Sequence, residues 1–136
     1  MTETTGRQPC AGGIVFDDRG QLLLVLRGRP PAAGYWTVPG GRCRPGEEPA
    51  AACVREVAEE TGLAVRVLAR AGRVERDAPG GGVFVIDDFT CAVVGGALRA
   101  GDDAAAAGWF DPAELGGLPL VPGLVEALAG WGLLRP

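Results

Sequence analysis

The sequence predicts an α/β sandwich in which a mixed β-sheet lies between helices. The first observation behind this is the order of the patterns: apolar strands, one helix, further strands and a closing helix. The second is the length of 136 residues, which suits one domain that can bury a core. The third is that no internal repeat or linker-like segment divides the sequence.

Two strands joined by a tight turn are expected first. Pro9–Phe16 is predicted as a strand, and Asp17–Gly20 as a turn in which the glycine takes a positive φ. The apolar run Gln21–Arg27 is predicted as a strand that is buried on both faces. These strands are expected to pair as a hairpin, and a loop then leads to a short strand at Tyr35–Val38.

The next predicted element is a helix at Pro49–Thr61. Proline suits its first turn, where no N–H is needed, and Gly62 suits the left-handed stop after its last turn. With about 100° between residues, three glutamates share one side of this helix: Glu56, Glu59 and Glu60. The opposite side is expected to pack on the core with small and apolar residues: Ala50, Ala51, Val54, Val57, Ala58 and Thr61.

The acidic side of this helix predicts a metal site. Like charges one turn apart cost roughly 0.2–0.5 kcal/mol per pair, and the helix dipole disfavours anions in the last turn. A bound divalent cation reverses both effects, and carboxylate oxygens suit a hard ion such as Mg²⁺ or Mn²⁺. The alternative is an acidic helix face that is simply exposed to solvent.

Strand patterns return after the helix, and a second helix closes the fold. The first of these strands is expected to bend around Ala71-Gly72. The predicted elements are strands at Ala64–Arg76, Val83–Val94 and Ala104–Phe110, a capped helical turn at Pro112–Leu115 and a helix at Pro122–Trp131.

The composition excludes several kinds of chemistry. The sequence contains no His, Ser, Lys or Asn. These absences exclude Ser-His or Cys-His nucleophilic catalysis, Schiff-base chemistry, a P-loop lysine and histidine metal ligands. Acid–base chemistry therefore falls to carboxylates, to Tyr35 or to a metal-bound water.

Charge and hydropathy bear on partners and location. The net charge of −4 argues against a nucleic-acid polymer as partner, since phosphate backbones bind to basic surfaces. No apolar run approaches the roughly 20 residues of a membrane span. Met1–Gln8 lacks the apolar region of a signal peptide and is expected to be a flexible tail before one domain at 9–136. These features predict a cytoplasmic protein without membrane contact, whose four cysteines stay reduced.

The segment Gly41–Leu63 carries the most specific motif. It matches every fixed position of G-x5-E-x7-R-E-U-x-E-E-x-G-U, where U is a bulky aliphatic residue. The matching residues are Gly41, Glu47, Arg55, Glu56, Val57, Glu59, Glu60, Gly62 and Leu63. The chain thus resembles the Nudix hydrolases. The resemblance implies an α/β/α sandwich and metal-dependent hydrolysis of a pyrophosphate bond in a small nucleotide substrate.

The resemblance also implies roles for individual residues. Glu56 and Glu60 are expected to hold metal, Glu59 to bind metal or serve the attacking water, and Arg55 to pair with Glu47. The alternative for the last two is an ordinary surface ion pair. The residues expected to ligate metal are Gly40 through its carbonyl, Glu56, Glu59, Glu60 and Asp103.

The carboxylate at Asp103 is expected on a loop that faces the acidic helix. Its neighbour Asp102 is an alternative for the same role, and a turn-capping function is a third reading of the pair.

Three flanking patterns resemble the small bacterial ADP-ribose pyrophosphatases: R-x-R-x-P-x-x-G-x-W-x-x-P-G-G, the later VIDDF and GG-x-L-x-AGDDAAxAxWF. ADP-ribose is therefore the first expected substrate. Arg27, Arg29 and Arg42 are expected to meet phosphates, and Trp36 to contact the substrate. Tyr35, Phe84 and Phe89 are further aromatic residues that can stack on a base, although each is more typical of a core. The alternatives are a house-cleaning (d)NTP pyrophosphatase and a non-catalytic Nudix-fold sensor. A homodimer is left open.

Overall fold

The computed structural model describes residues 6–30, 32–101 and 104–134. Its strands are β1 (Arg7–Val15), β2 (Leu22–Arg27), β3 (Trp36–Thr37), β4 (Gly40–Arg42), β5 (Leu63–Asp77), β6 (Val83–Gly96) and β7 (Ala104–Phe110). Its helices are α1 (Pro49–Thr61), a 3₁₀ helix at Pro112–Gly117 and α2 (Leu124–Gly130). No helix in these residues is long and apolar enough to cross a bilayer.

The strands form two sheets. The larger sheet has the order β4-β1-β6-β5, in which β1 and β6 run parallel and the other pairs run antiparallel. The smaller sheet, β3-β2-β7, is antiparallel throughout. The predicted α/β architecture with a mixed sheet is therefore confirmed, and a second sheet accompanies the mixed one.

The predicted hairpin of the first two strands is wrong. After the turn, one bridge between Phe16 and Leu22 joins them, and then β1 and β2 separate into different sheets. The turn itself is closed by Asp17, whose carboxylate accepts hydrogen bonds from the backbone N–H groups of Arg19 and Gln21 at 2.9 and 2.8 Å. The separation follows from the apolar character of β2, which must be buried on both of its faces. One face of β2 packs in one core cluster and the other face packs in the second.

Helix α1 has the predicted bounds, but its buried side is rotated from the predicted one. Gly62 takes φ = 76° and ends the helix in the left-handed conformation. The helix buries Ala52, Cys53, Val57 and Thr61, whereas Ala51 and Ala58 are exposed. Gly13 of β1 explains the rotation, because a Cβ there would lie 2.7 Å from Val57 and 3.2 Å from the Cys53 Sγ. The bare strand thus lets these two residues approach closely.

The other elements differ from the predictions mainly at their ends. β1 begins at Arg7, two residues earlier than expected. β5 runs unbroken to Asp77, with three register shifts, the last of them between Arg70 and Gly72, where a bend was predicted. α2 begins only at Leu124 because Gly123 takes φ = 86°, which no helical residue adopts.

Candidate active site

A cavity of about 660 Å³ lies against one face of the larger sheet. Alternate residues of the strands share this face, so Phe84, Ile86 and Asp88 of β6 all line the cavity. The opposite face of the same sheet carries Ala11 and Gly13 and packs against α1. Glu56 and Glu60 of α1 also border the cavity. The acidic end of the helix therefore meets the cavity beside β4.

The glycines of β4 bring the backbone against the two glutamates. The Gly40 N–H donates a hydrogen bond to Glu60 Oε1 at 3.1 Å. A Cβ on Gly41 would lie 2.5 Å from a carboxylate oxygen of Glu56, so any side chain there would displace that glutamate. This close approach is the physical reason for a glycine at the first position of the motif.

Arg55 connects the motif's charged residues into one network. Its Nε and Nη2 donate to the two carboxylate oxygens of Glu47, both at 2.9 Å. Its Nη1 donates to Glu56 at 3.1 Å and to Glu59 at 3.2 Å, and Nη2 also reaches the Arg42 carbonyl at 3.0 Å. The Arg55 and Glu47 side chains are only 18% and 17% exposed. The predicted pair is thus present, and it is more enclosed than an ordinary surface ion pair.

The network shifts the ionisation of its carboxylates in opposite directions. Hydrogen bonds from Arg55 and from the Arg44 backbone lower the pKa of Glu47 to about 2. Burial raises the pKa of Glu56, and the neighbouring Arg55 partly offsets that rise. Glu47 therefore stays charged and anchors Arg55, which in turn keeps charge on the less solvated Glu56.

Glu59 takes a different position from the other two glutamates of the helix. Its side chain is 36% exposed and does not line the cavity. It accepts from Arg55 and, at 3.5 Å, from Arg44. The structure therefore places Glu56 and Glu60 at the cavity and Glu59 on the outer side of the network.

The predicted substrate-binding residues divide into two groups. Arg27, Arg29 and Arg42 all line the cavity, and the Arg42 guanidinium lies 5.3 Å from the centre of the Phe84 ring. Trp36 is not brought to the cavity. Its ring packs edge-on against Phe110 at 4.8 Å in the second core cluster, because β3 pairs with β2 beside that core.

The remaining aromatic candidates also separate by position. Tyr35 is 43% exposed and lies outside the cavity lining, and Phe89 is buried in the core against α1. Phe84 is thus the aromatic candidate that borders the cavity among the described residues.

The donor set at the helix fits a hard divalent cation in its chemistry. It consists of carboxylate oxygens one turn apart beside the backbone of β4, which suits Mg²⁺ or Mn²⁺. Within the described ranges, no three acidic or cysteine side chains stand together as a ready ligand set. Arg55 and the Gly40 N–H hold the carboxylates instead. Asp102 and Asp103 lie outside the described residues, so the role predicted for them stays a prediction.

Sequence reasoning missed Asp88, a carboxylate of the cavity wall. It is 8% exposed, and its Oδ1 has no hydrogen-bond partner among the described residues. Burial raises its pKa to about 6. The available signal was the pair Asp87-Asp88 inside a strand, because alternation must place one of two adjacent residues on each face.

Comparisons with known proteins show the family of the chain. The family model described as NUDIX domain matches residues 6–129. A Mycobacterium tuberculosis protein named "Putative 8-oxo-dGTP diphosphatase 2" is 42% identical over 123 residues, which are 89% of this chain and 82% of that protein. An ADP-ribose pyrophosphatase of Methanocaldococcus jannaschii is 39% identical over 102 residues, which are 73% of this chain and 59% of that protein.

A solved structure shows the same fold. The MutT NUDIX hydrolase of Burkholderia pseudomallei superposes with a TM-score of 0.81 at 30% identity, and the match covers 90% of this chain and 96% of that one. The family model, the curated relatives and this neighbour thus agree with the motif on α1 and β4. The chain belongs to the Nudix family of hydrolases, enzymes that cleave pyrophosphate bonds.

Proposed function

We propose that this enzyme uses Mg²⁺ or Mn²⁺ to hydrolyse a nucleoside diphosphate derivative, and that ADP-ribose, cleaved to AMP and ribose 5-phosphate, is its first candidate substrate. The observation that supports this most directly is the position of Glu56 and Glu60 at the rim of a 660 Å³ cavity that four arginines also line, namely Arg27, Arg29, Arg42 and Arg76. Carboxylates for a cation and guanidinium groups for phosphates are thereby gathered around one space.

The residues have separate roles in this proposal. A cation held by Glu56, Glu60 and the Gly40 carbonyl would neutralise charge on the phosphates and lower the pKa of a bound water. Arg55 acts as a positioning residue, because it touches Glu47, Glu56 and Glu59 but does not line the cavity. It keeps the carboxylates in place and ionised while a substrate enters.

The arginines of the cavity wall bind the phosphates in this proposal. Arg27 and Arg29 come from β2 and the loop that follows it, and Arg42 comes from β4 of the other sheet. A guanidinium binds two phosphate oxygens at once, so several arginines around one cavity suit a diphosphate between two sugars.

A second candidate is hydrolysis of a (d)NTP, the house-cleaning activity. It is favoured by the 42% identity to the relative named for 8-oxo-dGTP, of which this chain covers a larger share than of the ADP-ribose pyrophosphatase. A triphosphate carries more charge at its end and needs more neutralisation than a diphosphate, in a chain with a net charge of −4. This charge argument favours ADP-ribose, and the named relatives support either substrate.

A substrate panel under one metal condition tests the proposal. We expect kcat/KM for ADP-ribose to exceed the values for dGTP, 8-oxo-dGTP, dCTP and ATP, with products resolved by chromatography. A triphosphate that wins by tenfold or more would overturn the ADP-ribose assignment and leave the pyrophosphatase activity in place. Binding of ADP-ribose without hydrolysis of any panel member would instead support a sensor. Cytoplasmic location and homodimer formation stay predictions.

A further inference from the structure

Asp88 differs from every other acidic residue that the structure describes around the cavity, because one of its oxygens is buried and has no partner. The oxygens of Glu56 and Glu60 meet Arg55 and the Gly40 N–H. An acceptor buried without a hydrogen bond costs free energy, so such groups are rare unless a ligand or water completes them. The cost at Asp88 therefore indicates a functional reason for the carboxylate.

The neighbouring residue Asp87 is a carboxylate on the same strand whose surroundings can be compared with those of Asp88. It lies on the opposite face of the sheet, where Arg73 donates to it at 2.9 Å and Arg70 lies at 3.2 Å. Asp87 is about as buried as Asp88, at 7% against 8% exposure. Two adjacent aspartates thus have different surroundings. Arginines bond directly to Asp87, whereas Oδ1 of Asp88 has no donor and the nearby charge of Arg76 only partly offsets the effect of burial on the Asp88 pKa.

Glycines flank Asp88 in the sheet. In the strand register, Asp88 is paired with Gly12 on one side and with Gly72 on the other, and Gly12 is paired in turn with Gly40. The Trp131 indole packs against Gly72 and covers that side, whereas Asp88 Oδ1 lies directly over Gly12, where a Cβ would collide with it. Gly40, Gly12 and Asp88, here called the bare row, border the cavity and carry a single polar side chain.

Several residues on this face are apolar and suit a flat aromatic ligand, although Arg76, which is paired with Phe84, also lines the cavity. Phe84 and Ile86 lie on the same face of β6 as Asp88, and Val74 of β5 is paired with Ile86. These side chains provide an apolar surface for stacking, whereas the carboxylate offers a hydrogen-bond acceptor at its edge. With a pKa of about 6, Asp88 carries its charge near neutral pH and can only accept.

The charge on Asp88 also argues against a phosphate group as its neighbour. A phosphate has no N–H or O–H donor when ionised and would be repelled by the carboxylate. The part of a nucleotide that carries N–H donors on an aromatic ring is its base. Adenine carries an amino group at C6, and guanine carries a ring N–H and an amino group, whereas unsubstituted purine carries no such donor.

We propose that Asp88 determines base specificity by accepting a hydrogen bond from an N–H donor of the purine in the substrate. This inference rests on the proposed function only in assuming that the ligand is a nucleotide, and it applies to adenine and guanine substrates alike. A buried acceptor discriminates strongly against ligands that lack a donor. When a base without an N–H donor binds, the carboxylate stays desolvated and unpaired.

The test compares ligands that differ only in the donor. Binding of AMP, GMP and purine riboside 5′-monophosphate is measured by titration calorimetry for the wild type, Asp88→Leu and Asp88→Asn. We expect the wild type to bind AMP or GMP at least about tenfold more tightly than the purine nucleotide, as for a hydrogen bond to a charged group. Asp88→Leu should reduce that preference to within about twofold, and Asp88→Asn, which keeps a neutral acceptor, should give an intermediate value.

Asp87→Asn is the matched control, because it removes the same charge one residue away on the other face of the strand. It should leave the base preference unchanged. A wild type without preference, or a preference that survives in Asp88→Leu, would overturn the proposal. If Asp88→Leu does not fold, the decrease from wild type to Asp88→Asn decides the question.

Kinetics with Mg²⁺ separate this proposal from the proposed function. An Asp88→Leu variant that needs more Mg²⁺ for half-maximal activity but keeps its base preference would place Asp88 in the metal site and overturn the inference. If the wild type hydrolyses no nucleotide at all, the proposed function fails. The monophosphate binding series still decides the role of Asp88 in that case, because it requires no hydrolysis.

Discussion

The carboxylates at the rim of the cavity are hydrogen-bonded within the protein, whereas the carboxylate on its wall has an oxygen without a donor. At the rim, Arg55 joins Glu47, Glu56 and Glu59, and the β4 backbone holds Glu60. On the wall, Asp88 lies over a glycine with no donor for its Oδ1. The rim therefore fixes the positions of its charges within the protein, as groups that act on a bound ion require. In our proposal, the base of an entering substrate supplies the hydrogen bond that Asp88 lacks.

Metal removal should have the largest effect, because it abolishes the function proposed for the rim. We expect no detectable hydrolysis after treatment with EDTA and recovery when Mg²⁺ or Mn²⁺ is added in excess. The reason is that the sequence has no histidine, serine or lysine to supply another route to the reaction. Product formation measured by chromatography checks this, and full activity in chelator would contradict the metal mechanism.

Glu60→Gln should remove one charge from the rim while keeping the side chain's shape. We expect kcat to fall by at least about 10²-fold, the low end for one electrostatic group. The metal-free protein should keep its melting temperature, since fewer like charges then crowd the helix. Glu114→Gln is the matched control, because Glu114 caps the distant 3₁₀ helix. A clearly lower melting temperature without metal would show that Glu60 is structural.

The pH dependence of stability should reveal the unpartnered carboxylate of the wall. Because burial raises the pKa of Asp88 from 3.8 to about 6, the folded state binds its proton more tightly than the unfolded state does. Its contribution is therefore full below about pH 4 and is lost as the pH rises through 6. The loss amounts to about 2–3 kcal/mol of unfolding free energy.

Urea unfolding at pH 4 and pH 7.5 measures this effect. At each pH, the free energy of unfolding of the wild type is subtracted from that of Asp88→Leu. This difference should be about 2–3 kcal/mol larger at pH 7.5 than at pH 4. An equal difference at both values would contradict a raised pKa at Asp88. Asp87→Asn should not reproduce the increase, since arginines neutralise that carboxylate.

Arg55→Lys should change stability by less than the titration of Asp88 does, and it tests the hydrogen-bond network of the rim. A lysine keeps the charge but cannot reach Glu47 with two parallel hydrogen bonds while also holding Glu56. We expect a loss of about 1–2 kcal/mol in unfolding free energy and a lower kcat at unchanged KM. Arg70→Lys, at an exposed partner of Asp87, is the control that should leave both unchanged.

The local features of the fold could be predicted from the sequence, and the pairing of distant strands could not. Helix α1 was predicted at its observed bounds because Pro49 and Gly62 each have a backbone reason for their position. The hairpin of β1 and β2 was wrong because an apolar run such as residues 22–25 indicates burial but not which strands will flank it. The rotation of α1 depends on Gly13, whose importance appears only when helix and strand are packed together.

The site was predictable to a similar degree. The resemblance of the motif predicted that Arg55 pairs with Glu47, and the structure contains this pair. The contacts of Arg55 with Glu56 and Glu59 were not predicted. The position of the Trp36 ring in a core and the unpaired oxygen of Asp88 could not be predicted, because residue type alone does not show whether a ring faces a core or whether a carboxylate finds a donor.

The position of the bare row separates two properties, bond cleavage and the proposed base specificity, so that each can change independently in evolution. The residues proposed for bond cleavage lie on α1 and β4, whereas the one polar side chain of the row lies on β6, a different strand. A substitution at position 88 alters what the wall accepts without moving any hydrogen bond of the Arg55 network, in which Asp88 takes no part. The same catalytic residues can therefore serve related proteins with different base specificities, which differ from one another by a single substitution at this position.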